Sequence, residues 1–252
     1  MARVIPARHR RRRRGFAVLG LVVLAVVAVL VVWGRQWTGN RRSGPWESVP
    51  TWKPAPTSSV AGTPRFDVAR AQLAALPVKG WDRLLDFERY KFGKAWSDDV
   101  NVELGHNGCN TRDDILRRDL TNVVLRPGTC YVQSGTLHDP YTGTTIEFVR
   151  GPNTSDSVEI DHLVSLADAW YKGARFWDPQ RRQDFANDPR DLLAVSPKAN
   201  FDKAFRDAAS WLPPNTAFRC DFVARQIDVK TAYGLWVSAK EKQTMADVLA
   251  RC

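Results

Sequence analysis

Apolar positions at Phe66, Ala69, Leu73 and Leu76 recur at helical spacing and stop at Pro77, which predicts a first helix over 66–76. The stretch 81–96 is rich in aromatics, with Trp81, Phe87, Tyr90, Phe92 and Trp96, and is expected to pack on a core. Thr111 followed by Asp114 reads as a capped helix start, with Ile115, Leu116 and Leu120 as its buried side. Short β-branched runs at 122–125, 129–132 and 144–149 predict strands, divided by Pro127-Gly128 and the turn region 139–143. A strand at 158–162 follows, then helices near 163–172 and 179–186 and a short strand at 191–196. Pro197 suits the first turn of a helix running to about 209, which Trp211-Leu212-Pro213-Pro214 breaks. Two helices near 217–233 and 238–250 close the chain. The pattern is α+β, mostly helical late in the chain.

The longest apolar run, Phe16 to Trp33, carries no charge over 18 residues. As a helix it would span about 27 Å, enough to cross a bilayer. Residues 1–42 hold ten arginines and no acid, seven of them before the run. Residues 1–15 are therefore expected in the cytoplasm and the remainder outside, in a single-pass topology. An uncleaved anchor at 16–33 is favoured over a cleaved signal because the run is long and no Ala-x-Ala-like site follows; cleavage would make the protein secreted. Residues 34–65, rich in Pro, Ser and Thr, read as a spacer, and 66–252 as the extracytoplasmic domain.

The formal charge of +10 belongs to that N-terminal segment, since the other 27 basic residues match 27 acids. Bulk basicity gives no argument for a nucleic-acid partner; attraction for phosphate must come from local patches. None of the four cysteines has a partner at C-x-x-C spacing, which argues against structural zinc. In an exported domain an even count points to two disulfides. Three pairings are possible, and locality favours Cys109–Cys130 with Cys220–Cys252.

The chain lacks G-x-S-x-G, H-E-x-x-H, the phosphate-binding loop G-x-x-x-x-G-K-[ST] and the dinucleotide fingerprint. Of the histidines outside the anchor, His106 and His138 sit in loop-like sequence, leaving His162 as the candidate general base. In a strand, Glu159 and Asp161 share one face, and Ile160 and His162 the other. A pleat that relaxes at the strand end would let Asp161 and His162 serve one site. The tryptophans Trp96, Trp170, Trp177 and Trp211 are expected in the core rather than as base-stacking platforms.

E-I-D-H-L-V at 159–164, D-L-L-A-V-S at 191–196 and A-N-x-x-K at 199–203 resemble the motif of HNH endonucleases. C-N-T-R-D-D-I-L-x-R-D-L at 109–120, F-G-x-A-W at 92–96, F-A-N-D-P-R at 185–190 and W-L-P-P at 211–214 resemble exported actinobacterial nucleases of that family. The resemblance implies a ββα-metal finger, about 156–209, within a mostly helical domain. By it, His162 is the general base that deprotonates water, Asp161 and Asn200 bind the metal, and Asp191 stands where the family has Asn to orient the histidine. Asn187 can supply what Asp191 cannot donate, and Glu159 is a candidate support for the site. Arg112, Arg190 and Lys203 are candidate phosphate contacts. Oxygen ligands suit a hard divalent ion, Mg²⁺ or else Mn²⁺. The implied activity is hydrolysis of DNA, and of RNA in a broader reading, with little sequence specificity and no obligate protein partner. The alternative is a non-catalytic cell-surface module that keeps the fold.

Overall fold

A computed structural model describes residues 64–82 and 85–252. The expected basic segment, the anchor at 16–33 and nearly all of the spacer lie outside the described residues. Among the described residues no helix is long and apolar enough to cross a membrane.

The fold is α+β. Helix α1 (Pro64–Ala75) starts where the spacer was expected to end and buries Ala69 and Leu73. A one-turn 3₁₀ helix at Arg89–Phe92 follows, then α2 (Thr111–Asp119). Its cap is Asn110, whose side chain accepts from the Asp113 amide, and not Thr111 one residue later. Strands β1 (Thr121–Leu125), β2 (Val132–His138) and β3 (Thr145–Val149) form an antiparallel meander. The strand expected at 129–132 begins only at Val132, because Pro127, Gly128 and Thr129 form the turn and Arg126 bonds across it to Tyr131.

Strand β4 (Glu159–His162) pairs antiparallel with β5 (Leu192–Val195), in the register Glu159↔Val195 to His162↔Leu192. Two helices, α3 (Leu166–Tyr171) and α4 (Pro179–Asn187), lie between these strands in sequence. Helix α5 (Pro197–Lys203) follows β5 directly, capped by Ser196, so β4, β5 and α5 make a ββα unit. It stops well short of 209 because Ala204 turns to φ 49°, a left-handed backbone that ends the helix. Helices α6 (Arg219–Tyr233) and α7 (Ala239–Leu249) complete the chain, the latter opened by a full capping box between Ser238 and Glu241.

The β4–β5 hairpin separates two cores. Ile160, Leu192 and Ala194 face Ile115, Leu116, Leu137 and Phe148 of α2 and the meander. Leu193 and Val195 face Ala199, Phe222, Ile227 and the α1 and α7 side chains. A third core joins Phe92, Trp170 and Phe185 to Val229 and Tyr233 of α6.

Two fully buried lysines tie the C-terminal helices to α3. Lys172 reaches Asp168, Asp207 and Glu241 at 2.6, 2.8 and 2.7 Å, and Lys230 reaches Asp168 and Glu241 at 2.8 and 3.0 Å. Each ammonium faces at least two carboxylates, and this mutual pairing is what permits charge at this depth.

The disulfides are Cys109–Cys130 and Cys220–Cys252, the local pairing, and no described cysteine is free. They close loops of 21 and 32 residues, each worth about 3–4 kcal/mol by loop entropy. Reduction is expected to lower the melting temperature by more than 10 °C, read by circular dichroism with and without reductant. Thiol titration of the native protein should find no reactive cysteine.

Candidate functional site

The pleat of β4 does not relax at its end. His162 is still paired with Leu192, so Asp161 and His162 point to opposite faces of the hairpin. The expectation that both side chains aim into one site is corrected by that register.

On the α5 face the side chains meet in two rungs. Asn200 donates its amide to Glu159 Oε2 at 2.6 Å. One helical turn later Lys203 donates to Asp161 Oδ1 at 3.0 Å and to the His162 carbonyl at 2.7 Å. The Tyr141 hydroxyl, from the turn after β2, donates to Asp161 Oδ2 at 2.6 Å. Lys203 is 0% exposed and Asp161 5%. Burial pushes the Asp161 carboxyl upward, and the Lys203 ammonium and Tyr141 hydroxyl pull it back.

This arrangement does not fit a divalent ion held by Asp161 and Asn200. Both Asp161 oxygens are taken and one of their partners is already a cation, while on Asn200 only the amide nitrogen is engaged, by Glu159. Among the described residues no cluster of three His, Cys, Asp or Glu side chains could hold a metal. Lys203, expected to touch phosphate, is sealed beneath α5. Arg112 is likewise spent, donating to the Ser155 and Val158 carbonyls that lead into β4. Arg190 is half-exposed but held by Asp188 at 2.6 Å.

On the other face, His162 Nε2 lies 2.9 Å from the Ala186 carbonyl oxygen. A carbonyl only accepts, so Nε2 carries the proton and Nδ1 is left as the acceptor, with no hydrogen-bond partner among the described residues. Burial lowers the imidazole to about 3, with Arg89 and Lys203 pushing the same way against the Ala186 bond. His162 is therefore neutral throughout the physiological range.

Beside it lies a cavity of about 240 Å³ bounded by Arg89, Tyr90, Phe92, Gly93, Trp96 and Leu166. The Trp96 ring runs nearly parallel to the imidazole, 17° between planes and 6.2 Å between centroids. Trp96 has φ 56°, a left-handed backbone that costs a bulky residue roughly 1–3 kcal/mol. Asn187 stabilises this conformation: its Oδ1 accepts from the Ser97 amide at 2.9 Å and from the Thr111 hydroxyl at 3.1 Å. Asn187 thus supports the site by fixing the tryptophan loop, next to the Ala186 carbonyl that orients the histidine. Gly93 has φ 77°, and a Cβ there would collide with Gln183. Trp96 packs against the core of Ile115, Leu116 and Phe148, as its sequence suggested, and also lines the cavity; Arg89 and Tyr141 were not singled out in sequence.

Asp191 is fully buried and pins the turn just past His162: its Oδ1 accepts from the Val164 amide at 2.8 Å and its carbonyl from Leu163 at 2.7 Å. Its Oδ2 has no partner, and burial raises the carboxyl well above the usual range, although the Val164 amide and Lys203 oppose it. An acceptor is all this position uses, which is why Asp can stand in for Asn.

The match that decides the family covers residues 110–248, more than half of the chain and all of the ββα unit. The chain belongs to the family of the C-terminal domain of GmrSD restriction endonucleases. An uncharacterized secreted protein of Arthroderma benhamiae is 34% identical over 201 residues, spanning 79% of this chain and 92% of that relative. No solved structure matches. The family supports a nuclease-like domain. The loop with Arg89, Tyr90 and Trp96 precedes the matched region.

Replacing Lys203 by Met is expected to cost about 3–5 kcal/mol, because Asp161 is left buried without its counter-charge; chemical denaturation measures it. The lowered His162 group contributes stability that is complete above pH 6.5 and is lost as pH falls towards about 3. Melting temperatures of the wild type should fall over that window, and those of His162→Gln should fall less. Asp191, raised in the fold, acts with the opposite sign: its contribution is present at low pH and lost as pH rises. Asp191→Asn should accordingly flatten the loss of stability towards alkaline pH.

Proposed function

We propose that the chain is an endonuclease of HNH type that hydrolyses phosphodiester bonds of nucleic acid, with His162 as general base. The observation that carries this reading is the His162 imidazole, neutral, its tautomer set by Ala186, its Nδ1 without a partner among the described residues, and the residue itself lining a cavity. Nδ1 accepts the proton of a water whose oxygen attacks phosphorus. The phosphorus–O3′ bond breaks, and the leaving oxygen takes a proton from solvent, giving 5′-phosphate and 3′-hydroxyl ends. A base lowered to about 3 is weak in the empty site. A phosphate anion entering beside it raises its affinity for the proton, so substrate strengthens its own catalyst. DNA is the proposed substrate, with RNA a second arm of the assay. Membership of the nuclease family and the order β4, β5, α5 support this reading.

Asp161 has both oxygens bonded to Tyr141 and Lys203 and offers none to Mg²⁺ or Mn²⁺, whereas Asn200 engages only its amide nitrogen. A location outside the cytoplasm is proposed from the two disulfides and from the secreted relative. The occupied Asp161 carboxylate also favours a second reading, a non-catalytic surface module with the same fold.

His162→Ala is expected to lower cleavage of plasmid and of single-stranded DNA by at least 100-fold while the circular dichroism spectrum is unchanged. Parental rates in this variant would remove His162 as base, and a wild-type protein that cuts neither substrate, with or without added Mg²⁺, would favour the binding module.

A further inference from the structure

Every cation that the sequence offered for phosphate contact is committed elsewhere: Lys203 to Asp161, Arg112 to backbone carbonyls, and Arg190 to Asp188. Arg89 is not. Its exposed side chain makes no hydrogen bond or ion pair among the described residues, and it stands at the His162 cavity, close enough for its charge to bear on the imidazole. The walls beside it are flat and aromatic. Trp96 lies nearly parallel to His162, and the lining also includes the buried Phe92 and Tyr90, which is 74% exposed. No carboxylate lines the cavity. One guanidinium without a counter-ion beside an aromatic slot matches one anion joined to one flat ring. Asn187, whose Oδ1 accepts from the Ser97 amide and the Thr111 hydroxyl, fixes the loop that carries the strained Trp96.

We propose that this cavity is a nucleotide subsite, in which one base of a single-stranded nucleic acid enters between Trp96 and Tyr90 while Arg89 holds the adjoining phosphate. The proposal rests on the phosphodiesterase reading and adds strand preference to it. A base inside a duplex is stacked and paired, and entering the slot requires its extrusion. A base in a single strand has no such cost, and stacking on aromatic side chains tolerates any sequence. Arg89 and Tyr90 are therefore substrate-binding residues, and the preferred substrate is single-stranded.

The test uses the full chain carrying His162→Ala, so that binding is read without cleavage. Fluorescence anisotropy compares a labelled single-stranded 12-mer, the same strand with abasic sites throughout, and its duplex. The single strand is expected to bind about tenfold more tightly than the abasic strand or the duplex. Adding Tyr90→Ala should abolish that advantage and leave abasic binding unchanged. Adding Arg89→Gln should weaken both single strands and reduce the salt dependence by about one ion. Equal affinity for the base-bearing and abasic strands, or no binding to either, overturns the subsite. Failure of the nuclease reading shows separately, as a wild-type protein that binds the single strand and never cuts it.

Discussion

The ion pair between Lys203 and Asp161 is the constraint around which the site is arranged. It joins the end of α5 to β4 where there is no water to solvate either charge, and Tyr141 closes the remaining side of the carboxylate. Removing charge from water is costly, and a buried pair recovers that cost only when its geometry is complete. Here the ammonium has a second acceptor, the His162 carbonyl, so the same lysine holds the backbone of the catalytic candidate. Asp161 therefore acts from behind the histidine and not beside it. The cluster around Lys172 and Lys230 holds α6 and α7 in the same way.

Fixing the backbone on one face leaves the other face free to shape the chemistry. His162 is buried, neutral and oriented by a carbonyl, and it lines a cavity with aromatic walls. The family match accounts for the strand carrying the histidine, while the cavity wall is supplied by a loop that precedes the matched region. The domain thus combines a shared ββα unit with a local wall, held together by Asn187, which bonds to that loop from the end of α4.

Much of this was legible in sequence, for reasons that are local. Helices α6 and α7 lie within the two ranges expected near 217–233 and 238–250, and the cysteines pair by proximity. The fifth strand is a short apolar run, Leu192 to Val195, just before Ser196 and Pro197. What was not legible depends on direction and depth. Whether Asp161 and His162 share a site turns on one residue of pleat, which the Leu192 pairing decides and no motif encodes. Lys203 reads as a surface charge one turn beyond Asn200, until packing buries it against a carboxylate 42 residues away. Trp96 does pack against the core, but its left-handed backbone and its ring parallel to the histidine leave no mark in composition.

The most direct test is the protonation state of His162 itself. In protein labelled with ¹⁵N in the imidazole rings, the His162 resonances, identified by their absence in His162→Ala, should report the Nε2–H tautomer from pH 8 down to below pH 5. Addition of a single-stranded oligonucleotide should move the onset of protonation upward. A His162 that titrates near 6.5 in the free protein, or that carries its proton on Nδ1, would contradict the account.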